Sequence, residues 1–373
     1  MAGDRFCIID IQPSKVETTA TDETWIITEE NVPAEFLDAD GGYASNGNDI
    51  KIYTNEEMTD EIPRHVRHIE TNNNPALGKL VVATKVPITS SVVVTKLWVE
   101  YHDPAASDYA VDHPKGQRAA YADETKGVFP MRLISSNLPD ATASANECVP
   151  VGSHTEIDGV IGKAVKFTSA LGHAKDTSQN NLNIADNLSI ECIFIAGSTL
   201  NIWEIPVMYS QNSTSPSASV WRYFLSVGGW SAGGRYRNLN FVASNGTIVR
   251  EWWTPSDIIT LSAANHIACT YNTTDGAKFY VNGVLQTTSH SETPITIDTT
   301  KDTIYIGGGN WSGTSCQSGV DEIRIYEGDP DVRTAGQIKS IYENQMNPST
   351  FMIPSAGFPI VTAVTKVRKK LLD

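Results

Sequence analysis

The chain of 373 residues carries 43 acidic against 28 basic side chains, a formal net charge of −15 at pH 7. That length builds two domains of ordinary size, each with its own core. The acidic surface argues against nucleic acid as a partner, and no run of roughly 20 apolar residues marks a membrane-spanning helix.

Met1–Asp10 holds too short an apolar run for a signal peptide. Residues 1–135 read as a first β-sandwich module, with strands at Glu23–Glu29, Asp49–Tyr53, Lys79–Val86 and Ser91–Tyr101. Asn46-Gly47 and Asn72-Asn73-Asn74-Pro75 are its turns. His65 and His68 are three apart in a stretch with no helical period, so they do not read as a metal pair. Residues 136–150, rich in Ser, Ala and Asn, read as a linker.

Residues 151–346 read as a second sandwich, with strands at Leu188–Ala196, Ile205–Tyr209, Trp221–Val227, Leu239–Ala243 and Thr247–Trp253. Beyond them Ile267, Cys269 and Tyr271 share one strand face, and Ala277, Phe279 and Val281 another. Asp275-Gly276 and Asn282-Gly283 supply the positive φ angles that tight hairpins need. Thr334–Met346 is the one clear helix: Thr334 caps it, and Ile338, Ile341 and Tyr342 share a face. Pro348 stops it. Residues 347–373 form an extended tail, expected to dock on a neighbouring chain or back onto the first domain. Its candidate contacts are Phe351, Phe358, Lys366, Arg368, Lys369 and Lys370. Five scattered cysteines, with no Cys-x-x-Cys, predict no disulfide framework; Cys192 and Cys269 sit in apolar strand patterns as core residues.

Three pieces in order, Tyr280-Val281-Asn282-Gly283, Ile306-Gly307-Gly308 and Val320-Asp321-Glu322-Ile323-Arg324-Ile325-Tyr326, resemble the concanavalin A-like, laminin-G-like sandwich family. Gly159-Val160-Ile161-Gly162-Lys163-Ala164 leading to Phe167 resembles its opening strand, so the likeness covers about 155–345. Asn48–Tyr53, Leu97–Pro104 and Gly127–Met131 resemble a small β module found before such domains, with His102 departing from its pattern. The resemblance implies an all-β chain of two β-sandwiches, the second a concanavalin A-like jelly roll. It also implies a fold that mostly binds sugars or proteins and catalyses nothing. It implies a rim Ca²⁺ site as well, for which Asp275 and Asp321 are the positions; no other cofactor is expected.

Glucanases of this fold use a Glu-x-Asp-x-(x)-Glu strand. Glu156-Ile157-Asp158 supplies the first half, but glycine and aliphatic residues follow, and the stretch reads as a turn before a strand. Asp321 and Glu322 are adjacent, which in a regular strand sends them to opposite faces. No Gly-x-Ser-x-Gly elbow occurs, and Gly307-Gly308-Gly309 is a strand-end turn rather than a phosphate loop. An enzyme is therefore not expected.

Six of the eight tryptophans fall in the second domain. Trp221, Trp252 and Trp253 lie in strand patterns and read as core. Trp230 and Trp311 are flanked by glycines in loops, where an exposed indole stacks on a sugar ring while Arg235, Arg237 and Asn310 bond its hydroxyls. Contact with another protein, or local packing, would place the same rings equally well. The expectation is a non-enzymatic structural component of an extracellular assembly: a phage virion protein (capsid decoration, head fibre or tail) with a lectin-like domain. Its partners would be other virion chains or a second copy, together with a cell-surface glycan. The alternative is a carbohydrate-binding adhesion module of a secreted or cell-surface protein.

Overall fold

A computed structural model describes residues 5–39, 47–101, 106–177, 181–200, 203–211, 220–230, 235–300, 302–309, 313–328, 333–354 and 358–359. The architecture is all-β, with two compact units: residues 1–122 together with 343–373, and residues 123–342.

In the first unit the strand Arg5–Ile11 buries Cys7, Ile9 and Ile11 on one side and pairs along its whole length with Thr95–Tyr101. Lys51–Tyr53 and Glu61–Ile62 extend that sheet. Ala20–Thr28, Lys79–Thr89 and Arg64–Glu70 form a second, three-stranded sheet. His65 and His68 thus lie on a strand, and His65 Nδ1 meets the Tyr121 hydroxyl at 2.8 Å.

The C-terminal segment is built into this unit. Met352–Pro354 and Phe358–Pro359 pair antiparallel with Arg5–Ile11. Phe351 is fully buried, with its ring 4.9 Å from that of Trp25. Asn344 closes both backbone groups of Ile26, accepting from its N–H at 2.8 Å and donating to its carbonyl at 2.9 Å. Asn31 donates to the carbonyls of Pro348 and Met352. Of the docking residues expected in the tail, Phe351 is a core residue, Phe358 is described through its backbone alone, and Lys366, Arg368, Lys369 and Lys370 lie outside the described residues.

Residues 123–150 belong to the second unit, so the expected boundary at 135 and linker at 136–150 are corrected. Thr125–Phe129 pairs with Gly319–Glu327, and Leu138, Ala141 and Cys148 are buried. The small polar residues between them serve a tight loop around Asp140. Its carboxylate accepts the backbone N–H groups of Val128 at 3.0 Å, Thr142 at 2.9 Å and Asn146 at 3.2 Å.

Counted over the described residues, the second unit has an eight-stranded and a seven-stranded antiparallel sheet. The first runs His154–Asp158, Lys163–Phe167, Gly319–Glu327, Leu188–Ile195, Ala264–Asn272, Gly276–Val281 and Val284–Gln286, with Thr125–Phe129 also on Gly319–Glu327. The second runs Val249–Trp253, Arg235–Ser244, Trp221–Trp230, Trp203–Ser210, Thr303–Ile306, His173–Asp176 and Val149–Val151. Alternate residues of both sheets meet in one core. Ile190, Cys192, Phe194, Ile267, Cys269 and Tyr271 come from the first; Tyr223, Leu225, Val227, Leu239, Phe241 and Ile304 from the second. Asn282 and Gly283 take φ of 50° and 73° between the paired Val281 and Val284, the two-residue turn that matches strand twist. All five cysteines are buried free thiols. Thr334 and Gln337 cap the helix Ala335–Met346 reciprocally, and Ile338 and Ile341 are buried.

Candidate functional site

Period-2 geometry gives the seven-stranded sheet an outer face opposite its core residues. Register places Glu251, Val242, Phe224, Met208, Tyr305, Lys175 and Val149 side by side across it. Ile205, Met208, Phe224, Val242 and Tyr305 form a second, smaller apolar cluster there, with Trp203, Trp221 and Val249 packed on it and half-buried. The Trp221 ring meets Phe224 edge to face at 5.5 Å, and Trp203 lies 6.3 Å from the same ring. At one margin His173 sits edge to face with Tyr305 at 5.2 Å. At the other, Trp253 and His290 are stacked at 3.6 Å.

Polar groups are set among these rings. Asn240 pairs with Trp253 on one side and Ser226 on the other. Among the described residues, Asn240 Oδ1, Asn238 Oδ1 and His173 Nε2 are buried with no hydrogen-bond partner. Each such group costs about 1–3 kcal/mol in a folded protein when left unsatisfied. His173 Nδ1 lies 2.9 Å from the Leu171 carbonyl, a contact it makes as a donor, which leaves Nε2 as a bare acceptor. Burial holds the His173 pKa below the usual imidazole value and keeps the ring neutral.

Arg222 anchors the Trp221 end. Its guanidinium is buried against Asp298 at 3.2 Å and Asp302 at 2.7 Å, and Nη1 donates to the Trp221 carbonyl at 2.9 Å. Burial pushes the Asp302 carboxyl up to about 6, against the opposing pull of Arg222.

The residues expected from sequence divide three ways. Trp230 and Arg235 pair in register at the end of their strands, with the backbone alone described; Asn310 and Trp311 lie outside the described residues. Arg237 is committed within the fold. Its Nε donates to Asp257 at 2.6 Å, its guanidinium lies over the Tyr236 ring, and its carbonyl accepts from Ile258 and Ile259.

Asp275 and Asp321 are not brought together. Asp275 lies in an exposed turn paired with Lys278 at 2.7 Å, beyond the end of the strand where Leu188 pairs with Tyr271. Asp321 pairs with Ile193 instead, which separates the two by on the order of 15 Å along the strands. Asp321 Oδ2 accepts the N–H groups of Val160 and Ile161, both at 2.9 Å. Glu322, at a bulge with φ 48°, accepts from Arg324 Nε at 2.9 Å. The bulge lets Val320, Ile323 and Ile325 all reach the core, so the simple alternation expected at Asp321 and Glu322 does not hold. Glu156 and Asp158 lie on the exposed strand His154–Asp158, not in a turn; that strand belongs to the other sheet.

Sequence reasoning missed the outer placement of Trp203, Trp221 and Trp253. For Trp253 the signal was there: Trp252 and Trp253 are neighbours on a strand, so only one can face the core, and that one is Trp252. Trp221 escaped because the register shifts between Tyr209 and Ser210, which turns the indole to the face its position in the alternation does not predict.

Residues 176–339 match the family described as the concanavalin A-like lectin/glucanases superfamily. Similar solved structures include the receptor-binding domain of botulinum neurotoxin mosaic serotype C/D, with 13% identity over 60% of this chain and 51% of that one and a TM-score of 0.44. The receptor-binding domain of botulinum neurotoxin D matches at 14% identity over 60% and 53%, TM-score 0.45. Domain 4 of AbnA, a GH43 extracellular arabinanase from Geobacillus stearothermophilus in complex with arabinotriose, matches at 17% identity over 59% and 98%, TM-score 0.42. The chain spans about half the length of the toxin domains it matches. No protein of curated function matches it in sequence.

Proposed function

We propose that the second unit, a concanavalin A-like jelly roll, is a non-catalytic carbohydrate-binding module whose binding surface is the outer face of its seven-stranded sheet. One observation carries this reading: half-buried indoles and the half-buried polar side chains of Glu251 and Lys175 share that face. Sugars present apolar C–H faces and hydroxyls together, so their recognition needs an aromatic surface beside hydrogen-bonding groups. The absence of a third carboxylate after Glu156 and Asp158, and their place on the other sheet, favour binding over cleavage.

The test is a glycan array probed with the purified chain, followed by titration of Trp203→Ala and Trp221→Ala. Binding of a defined glycan, weakened at least tenfold by either change, is the expected result. No binding to any printed glycan would overturn the reading.

A second reading is an assembly component at the outside of a cell or particle, such as a phage virion decoration, head fibre or tail protein. It is favoured by the pairing of Met352–Pro354 and Phe358–Pro359 with the strand Arg5–Ile11, which gives the basic stretch beyond a fixed starting point from which to meet another chain. Light scattering of the full chain, and of a form ending at Pro359, tests it: loss of an oligomer on truncation supports it, and a monomer in both cases defeats it.

A further inference from the structure

At the open edge of the seven-stranded sheet, Trp253 and His290 face each other. Their backbones exchange two hydrogen bonds of 3.2 Å, and directly opposed residues put their side chains on the same face. The imidazole lies flat on the indole, with centroids 3.6 Å apart and planes within 15°. Both rings are half-buried. On the other side of Trp253 comes Asn240, then Ser226, so one lateral row crosses the sheet as imidazole, indole, amide and hydroxyl. The amide carbonyl in this row is buried and has no partner among the described residues.

We propose, on the carbohydrate-binding reading above, that the Trp253–His290 end of this row is a single-sugar subsite: Trp253 is the platform for the C–H face of a pyranose or furanose ring, and His290 is an exchangeable cap. A flat imidazole at stacking distance occupies the surface a sugar ring would cover. Binding then requires His290 to leave, and the unliganded stack lowers the apparent affinity by the fraction of time the platform is free.

Calorimetric titrations of the full chain and of His290→Ala with arabinotriose, cellotriose and lactose, together with the tightest glycan from the array, test the cap. Removing His290 should tighten binding about threefold to tenfold. The upfield ring-current shift of the His290 ring protons should vanish at saturation. Unchanged or weaker binding by His290→Ala, or a ring-current shift that persists at saturation, overturns the proposal. So does equal binding by a folded Trp253→Ala variant, which leaves the broader reading standing; Trp253→Phe, which keeps a stacking face, should bind within tenfold of the parent. If no sugar binds the parent chain or His290→Ala, the carbohydrate reading itself fails and the subsite with it.

Discussion

The α-carbon of Gly307 faces the Phe167 ring so closely that a methyl group there would overlap the ring carbons Cδ2 and Cε2. Gly307 also holds φ at 73°, a conformation costly for any residue with a Cβ. Phe167 belongs to the core of the sandwich and cannot step aside. Gly307→Ala should therefore destabilise the second unit by about 3 kcal/mol or more, read as a lower urea midpoint. A midpoint unchanged within error would show that the ring relocates freely.

Asp140 makes a second, independent prediction. Three backbone N–H groups converge on its buried carboxylate. Asp140→Ala leaves those donors without their acceptor and should cost about 2–4 kcal/mol. Asp140→Asn keeps one acceptor oxygen and should cost less. Equal melting temperatures for the two variants would contradict this account of the loop.

The packing of Phe351 on Trp25 yields a third. Phe351 is fully buried, and its truncation to alanine should cost about 3–5 kcal/mol. The loss belongs to the first unit, so Trp25 emission should report an earlier unfolding transition while glycan binding by the second unit is retained below that transition. A variant as stable as the parent would show that the C-terminal segment adds nothing to the core.

His173 sets a pH dependence. Burial depresses its folded pKa, so in the range below the usual imidazole value of 6.5 the unfolded chain binds a proton the folded chain refuses. The stability tied to a neutral His173 is complete above about pH 6.5 and is lost as pH falls through the depressed folded value. Melting temperatures from pH 7.5 to 5 should decline more steeply for the parent than for His173→Asn. Parallel declines would place the proton elsewhere.

Much of the second unit was legible in sequence because its signals are local. Asn282-Gly283 between alternating apolar runs can hardly form anything but a hairpin, and Thr334 as a cap announces the helix. Resemblance supplied the way the sheets are put together, which no local pattern contains. What escaped depends on long-range register. The bulge at Glu322 and the shift beside Trp221 each turn side chains to a face that counting by twos does not predict. The loop at 136–150 escaped for another reason: its composition is that of a linker, and only the convergence of backbone donors on Asp140 makes it part of a core.

The C-terminal strands also bear on how the protein is made. Arg5–Ile11 is synthesised before the second unit, yet its strand partners Met352–Pro354 and Phe358–Pro359 follow that whole unit. The second unit can therefore close on itself while the first still lacks an edge and the Phe351 plug beside Trp25. During synthesis the nascent N-terminal sheet displays an open strand edge on Arg5–Ile11, the kind of template that invites chaperones or sister chains. The unit that is begun earlier is thus the one that must be finished later.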